Sequence, residues 1–96
     1  MQVEHGKVEG DLVLSDDLKL HGMVAGNLTV PAGRKLWLHG MVTGDLLVES
    51  GGGAVVHGMV CGEVTAQGPT AIFGTVSGSA TGPGLTVDRG AVINER

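Results

Sequence analysis

The sequence is poor in positive charge. Its 96 residues include 6 lysines and arginines against 10 acidic residues, for a formal net charge of −4. These basic residues are scattered along the chain, whereas binding to a phosphate backbone needs clustered lysine and arginine. We therefore expect no nucleic acid among the partners. Long apolar runs are also missing, and a membrane span needs about 18 or more consecutive apolar residues. We expect no integral membrane segment.

Cysteine is almost absent as well. The single Cys61 cannot form an internal disulfide, which is typical of proteins in a reducing cytoplasm. Residues 1–5 lack the charged and apolar regions of a signal peptide, so the expected location is cytoplasmic. The glycine run 51–53 has neither the Lys-Ser/Thr pair nor the following helix of a phosphate-binding loop. We predict no cofactor.

Glycine, in contrast, is abundant, and it marks an internal repeat. The pattern His-Gly-x-Val, with Phe replacing His in its last copy, starts at five positions spaced by 16, 18, 18 and 16 residues: His5, His21, His39, His57 and Phe73. Two residues after each valine comes another glycine, followed by a small polar or acidic residue: Asp11, Asn27, Asp45, Glu63 and Ser79. Nearly the whole chain consists of this unit, which predicts a single domain over residues 1–96.

Apolar residues alternate with polar ones through the repeats and fall on even-numbered positions from Val8 to Val76. Strict alternation is typical of strands with one buried face, and the spacing of an amphipathic helix occurs nowhere. A period of 18 residues with three short apolar runs describes a coil with three sides. We therefore predict an all-β fold, a single-stranded parallel β-helix (a solenoid) of five to six coils of 16–18 residues.

The last part of the chain departs from this pattern. Residues 82–84 interrupt the repeat, and residues 85–87 resume it on odd-numbered positions. A shift by one residue would turn every side chain to the other face, so the sequence predicts a bulge or a changed corner here. Residues 85–96 are predicted to form a partial closing coil, with residues 94–96 as its polar cap.

The unit Gly-x-Val-x-Gly-[Asp/Asn]-[Leu/Val]-x-Val, with a later glycine before an apolar pair, resembles the repeat of the bactofilins, a polymer-forming bacterial cytoskeletal family. The resemblance covers residues 5–94. It implies a right-handed parallel β-helix whose coils join end to end into non-polar filaments without nucleotide. Aliphatic residues at every sixth position from 24 to 72 leave a left-handed hexapeptide β-helix as the alternative, although the 16-residue coils interrupt that register.

Stacked coils would align the outward-facing residues into columns. The histidines that begin the repeats form one column, and it is flanked by a methionine column and by a column with a tryptophan and a valine. Contiguous apolar surface of this kind marks an interaction site. The predicted interaction face contains Trp37, His21, His39, His57, Met23, Met41, Met59 and Val55. The alternative is that another segment of the same chain covers this face.

The histidine column does not predict a metal site. Zinc takes three or four ligands in tetrahedral geometry, whereas side chains in a straight ladder point the same way. We interpret the column as a ladder of neutral imidazoles that pack on one another and exchange hydrogen bonds. Protonation would place like charges together, so we expect histidine pKa values below the unfolded value. Loss of the fold or of assembly is then expected at about pH 5.

The acidic column is interrupted by Asn27 and Ser79. We interpret it as a ladder of hydrogen-bonded turn residues rather than as calcium ligands or catalytic carboxylates. Cys61 shares its column with no base. The sequence therefore predicts no catalytic residue and no enzyme.

The favoured function is a scaffold, similar to the bactofilins, that assembles with itself end to end into filaments. The ends of a β-helix present unpaired strand edges and an open core, and joining identical ends gives a symmetric filament. The predicted assembly residues are Val3 at one end and Val92 and Ile93 at the other. One alternative is a compact acidic binding module, an adaptor or an inhibitor of the immunity type, that holds a protein partner through the interaction face. A remote alternative is a trimeric hexapeptide-repeat acyltransferase.

Overall fold

A computed structural model describes residues 2–93, apart from the side chain of Gln2, and the predicted cap at 94–96 lies outside these residues. The described chain contains only short strands and no helix, which confirms the prediction of an all-β fold. The strands are β1 (Gln2–Glu4), β2 (Lys7–Glu9), β3 (Leu12–Val13), β4 (Leu18–Leu20), β5 (Met23–Ala25), β6 (Leu28–Val30), β7 (Lys35–Leu38), β8 (Met41–Val42), β9 (Leu46–Val48), β10 (Gly53–Val56), β11 (Met59–Val60), β12 (Val64–Ala66), β13 (Thr70–Ile72), β14 (Thr75–Val76), β15 (Ala80–Thr81), β16 (Leu85–Val87) and β17 (Val92–Ile93).

The strands stack into three parallel sheets, one for each side of the coil. The first sheet has the order β1-β4-β7-β10-β13-β16, the second has the order β17-β14-β11-β8-β5-β2, and the third has the order β15-β12-β9-β6-β3. Because each strand pairs with the strand three places further along the chain, three consecutive strands form one coil. About five coils stack in this way, with β16 and β17 continuing the stack. The predicted parallel β-helix is confirmed, and its handedness stays a prediction.

The core lies inside the three sheets and follows the alternation in the sequence. In the first sheet one inward-facing column contains Leu20, Leu38, Val56 and Ile72, each in register with the next and each 0% exposed. Burying a side chain of this size stabilises the fold by about 1.5–3 kcal/mol relative to leaving it exposed. Since a single coil has no apolar surface to pack against, this burial depends on the stack.

The corner between the first and second sheets is built on a column of glycines: Gly6, Gly22, Gly40, Gly58 and Gly74. A Cβ atom on Gly40 would overlap the carbonyl oxygen of Gly22, one coil earlier. The backbone N–H groups of His39 and Gly40 both donate to the carbonyl oxygen of Leu20, at 2.8 and 3.0 Å. From Gly22 to Gly74 the corner is therefore so tight that only glycine fits, and the histidine that precedes Gly40 points outward.

The interruption near the end of the chain is a changed corner. In β16, Leu85 pairs with Thr70 and Val87 with Ile72, which are odd intervals, whereas earlier coils pair at even intervals. The corner at residues 82–84 absorbs the difference, with Gly82 at a φ of 125°. The side chains of Leu85 and Val87 therefore continue the inward-facing columns, as the sequence predicts for a changed corner.

Candidate interaction face and assembly ends

The histidines form a continuous stack with Phe73 at the corner between the first and second sheets. The ring centroids lie 5.0 Å apart for His5 and His21, 4.9 Å for His21 and His39, 5.2 Å for His39 and His57, and 5.0 Å for His57 and Phe73. The interplanar angles range from 3° to 11°. The rings therefore lie face to face at about the spacing of neighbouring strands. The predicted packing of the imidazoles is confirmed, and their exchange of hydrogen bonds stays a prediction.

His39, in the middle of this stack, has a pKa lowered from its ordinary value. Desolvation of the imidazole within the stack is the largest cause, and the charges of His21, His57 and Lys19 lower the pKa further. Both causes disfavour the imidazolium form, which is the direction that the sequence predicts. Among residues 2–93, no three histidine, cysteine or acidic side chains lie close enough to hold a metal ion together.

The two apolar columns that flank the histidines lie on different sheets. The methionines are in register on the outer side of the second sheet: Met23, Met41 and Met59. Trp37 and Val55 are in register on the outer side of the first sheet. The predicted interaction face thus consists of two surfaces that meet at the histidine corner, and its role in binding a partner stays a prediction.

These side chains also differ in exposure. His21, His39 and His57 are exposed, whereas Trp37, Val55 and the three methionines are partly buried. Each of the partly buried side chains packs beside its neighbours in the same column. The ammonium group of Lys35 lies 5.6 Å from the ring centroid of Trp37, a cation–π arrangement that keeps both side chains together on the third coil.

A second ladder follows the corner between the second and third sheets. The Oδ1 atom of Asp11 accepts a hydrogen bond from the N–H of Asn27 at 3.0 Å, and Asn27 Oδ1 accepts one from the N–H of Asp45 at 2.8 Å. The Oδ1 atom of Asp45 in turn accepts from the N–H of Glu63 at 2.9 Å. Each side chain satisfies a backbone donor of the next coil. The interpretation as hydrogen-bonded turn residues is confirmed.

At the amino-terminal end, β1, β2 and β3 are the outermost strands of the three sheets. Val8 and Leu12 face the core but are only partly buried, because no described coil lies beyond them. With Glu4, Leu14 and Leu18 they line a concavity of about 110 Å³ over the end of the core. This end of the solenoid therefore presents open strand edges around a depression that is lined by aliphatic side chains and by the polar residues Glu4 and Ser15.

At the carboxy-terminal end of the described chain, β16, β17 and β15 are outermost. Leu85 and Ile93 are partly buried against the core. Val87, which stacks on Ile72, is 45% exposed because nothing described covers it. This end also combines open strand edges with inward-facing apolar side chains.

The predicted assembly residues lie in the terminal strands, but two of the three face outward. Val3 pairs with Lys19 in the column of Trp37 and is 50% exposed. Val92 pairs with Thr75 in the methionine column and is 56% exposed. Only Ile93 continues an inward-facing column, above Val76.

Sequence reasoning did not select as assembly residues four inward-facing residues at the ends: Val8, Leu12, Leu85 and Val87. The alternation itself held the signal for the first two, because they begin the even-numbered apolar set. For Leu85 and Val87 the signal was hidden by the change of phase at residues 82–84.

Within the described residues, no helix is long and apolar enough to cross a membrane. In comparisons with known proteins, no curated protein and no solved structure matches the chain. The sequence model of one family does match, over residues 3–96, and this family is the bactofilins, described as polymer-forming cytoskeletal. Since the match covers essentially the whole chain, the protein belongs to the bactofilin family.

Proposed function

We propose that this protein is a non-enzymatic scaffold of the cytoplasm that assembles end to end into filaments without nucleotide. The observation that carries the proposal is the state of the two ends of the solenoid. In the described part of the chain, each end combines unpaired strand edges with inward-facing apolar side chains that are incompletely buried. Membership in a polymer-forming cytoskeletal family supports a structural role.

Two forces favour addition of a further copy at such an end. An unpaired strand edge is a template for pairing with another strand, and three sheets offer such edges at each end. A neighbouring copy would also complete the burial of Val8 and Leu12 at one end and of Val87 at the other. Each of these side chains would contribute on the order of 1 kcal/mol.

Neither force depends on nucleotide hydrolysis. The glycine run 51–53, which is the best candidate for a phosphate loop, forms a corner between the third and first sheets. There the backbone N–H of Gly33 donates to the carbonyl oxygen of Gly51 at 2.9 Å, so the run ties two coils together. In this proposal, burial and strand pairing hold the copies together.

We propose that like ends join, as the resemblance to the bactofilins implies. A two-fold axis at each junction then gives a filament without polarity. Glu4 begins the inward-facing column that continues through Leu20 and ends at Val87. Its carboxylate therefore lies at every junction that uses the amino-terminal end.

High-speed sedimentation with negative-stain microscopy of the purified protein at neutral pH tests the proposal. We expect the protein to pellet as uniform filaments without nucleotide, and added ATP or GTP should leave the pelleted fraction unchanged. A monomer or dimer that stays in the supernatant at all concentrations would overturn the proposal. So would filaments that form only when nucleotide is present.

A further inference from the structure

The outer column of the first sheet changes sharply in size along the solenoid. Its members are in register, one in each coil: Val3, Lys19, Trp37, Val55, Ala71 and Thr86. Trp37 in the third coil is the largest side chain of the column, and Ala71 stands two coils above it, at about 10 Å by the usual strand spacing. The column therefore has a protrusion in its third coil and little side-chain volume in its fifth.

The neighbouring column, which contains Lys35, also changes from large to small residues along the solenoid. Lys35, which contacts the ring of Trp37, pairs with Gly53 in the fourth coil. The residues at this edge in the next coils are Pro69 and Gly84. The small side chains of both columns leave a shallow, mainly apolar recess of about 310 Å³ over the fourth to sixth coils, with Ala71 and Thr70 in its lining. The protrusion at Trp37 and the recess at Ala71 thus lie on one face of the solenoid. Val55 stands between these two residues in the column.

We propose that this face is a lateral contact between two copies of the chain, with their solenoid axes antiparallel. A two-fold axis that runs along the strands at the level of Val55 inverts the order of the coils and keeps the columns aligned. The third coil of one copy then faces the fifth coil of the other. Trp37 of each copy enters the recess at Ala71 of the second copy, which is the reciprocal contact that two-fold symmetry requires.

Charge favours the same arrangement. Because the columns stay aligned, Lys19 of the second coil comes opposite Thr86 in the sixth coil of the second copy. A parallel arrangement would instead set equal coils against each other. It would place Trp37 against Trp37 and Lys19 against Lys19, so that both recesses stay empty and like charges meet. Only the antiparallel pair matches protrusion to recess and keeps Lys19 of one copy away from Lys19 of the other.

A tryptophan that enters an apolar recess at the centre of a contact is the kind of residue that dominates binding energy. The contact lies on the side of the solenoid, whereas the proposed filament uses its ends. The proposed lateral contact therefore predicts pairs of chains, or pairs of filaments, that end-to-end joining does not explain.

Variants that interchange the large and the small side chain at Trp37 and Ala71 test this contact. To remove end contacts, all variants carry Leu12→Asp and Ile93→Asp, and circular dichroism verifies that each is folded. In this background sedimentation equilibrium should show a dimer. Trp37→Ala leaves the recess empty, and Ala71→Trp sets two indoles against each other, so each change should weaken the dimer by at least tenfold.

An equimolar mixture of the two variants provides the decisive comparison. The Ala71→Trp chain offers both indoles and the Trp37→Ala chain offers both small residues, so the mixture should form heterodimers with an affinity near that of the parent. A matched control, Leu47→Ala on the third sheet, should leave the dimer unchanged, because Leu47 is also partly buried and outward-facing.

The contact is refuted if the parent background is monomeric, if the single variants dimerise as the parent does, or if their mixture yields no heterodimer. If the outer face of the first sheet instead binds a different protein, the parent background would be monomeric, which is the first of these results. The outcome is independent of the proposed filament. Should the wild-type chain fail to polymerise and yet form a dimer that depends on Trp37, the filament proposal alone fails.

Discussion

The backbone N–H of Asp45 donates a 2.8 Å hydrogen bond to the Oδ1 atom of Asn27, one coil earlier. Because this pair lies at a corner, it holds neighbouring coils together between two sheets, where strand pairing is interrupted. The same side-chain-to-backbone contact joins Asp11 to Asn27 and Asp45 to Glu63. A polar residue recurs at this corner because its side-chain oxygen accepts a hydrogen bond from a backbone N–H group of the next coil.

Replacing Asn27 with alanine removes that acceptor. We expect Asn27→Ala to lower the free energy of unfolding by about 1 kcal/mol, the usual net value of one hydrogen bond. Urea denaturation measures the change. Asn27→Asp is the matched control because it keeps an acceptor oxygen, and it should cost less at high salt, where the repulsion from Asp11 and Asp45 is screened. An alanine variant as stable as the wild type would show that solvent replaces the side chain at this corner.

The glycine column predicts a strong effect of one methyl group. In Gly40→Ala the added Cβ atom would overlap the carbonyl oxygen of Gly22, so the corner must open. We expect a loss of about 3 kcal/mol in unfolding free energy, measured by thermal or urea denaturation. Gly6→Ala is the control. Gly6 begins the same column, and a Cβ atom there meets only the flexible Glu4 carboxylate, at 3.2 Å. Equal losses in the two variants would contradict this account of the corner.

Two adjacent leucines in β9 test the assignment of inward and outward faces. Leu46 is 0% exposed, whereas Leu47 faces outward and is partly buried. Leu46→Ala should lower the unfolding free energy by about 2–5 kcal/mol, because it leaves a cavity in the core. Leu47→Ala should cost clearly less in the same denaturation experiment. A larger loss for Leu47→Ala than for Leu46→Ala would show that the assignment of inward and outward faces is wrong.

The lowered pKa of His39 makes stability depend on pH. Since the unfolded chain binds a proton more readily at this position, the contribution of His39 to stability is complete above the unfolded pKa of about 6.5. It is lost as the pH falls through the folded pKa. We therefore expect a lower Tm at pH 5 than at pH 7.5, and NMR titration should place the pKa of His39 below its ordinary value.

His39→Phe is the control for this pH dependence. A phenyl ring already stacks on an imidazole in this column, at 5.0 Å between His57 and Phe73, so the variant should keep the stack. Its Tm should change less between pH 7.5 and pH 5 than that of the wild type. An identical change would assign the pH dependence to other groups.

The fold was accessible from the sequence because one signal repeats in every coil. Even spacings between repeats keep the parity of buried residues, so the inward side of Leu38 or Val56 follows from counting alone. The histidine stack was accessible for the same reason. Val3 has an odd number and therefore faces outward. Its position near the end of the chain is not sufficient to make it an assembly residue.

Other features depend on three-dimensional relationships that counting does not supply. The recess at Ala71 exists because Gly53, Pro69 and Gly84 occupy one corner position in successive coils, and the corner lengths that align them vary. Likewise, the separation of Trp37 from the methionines follows from the position of the corner, which places them on different sheets.

Two neighbouring residues of β17 provide the most direct test of end-to-end assembly. Ile93 faces the core at the end of the solenoid, whereas Val92 faces outward. In sedimentation without nucleotide, Val92→Asp should pellet as the wild type does. Ile93→Asp should stay in the supernatant as dimers joined through their free amino-terminal ends. Filaments of Ile93→Asp that pellet like the wild type would contradict assembly through the ends of the solenoid.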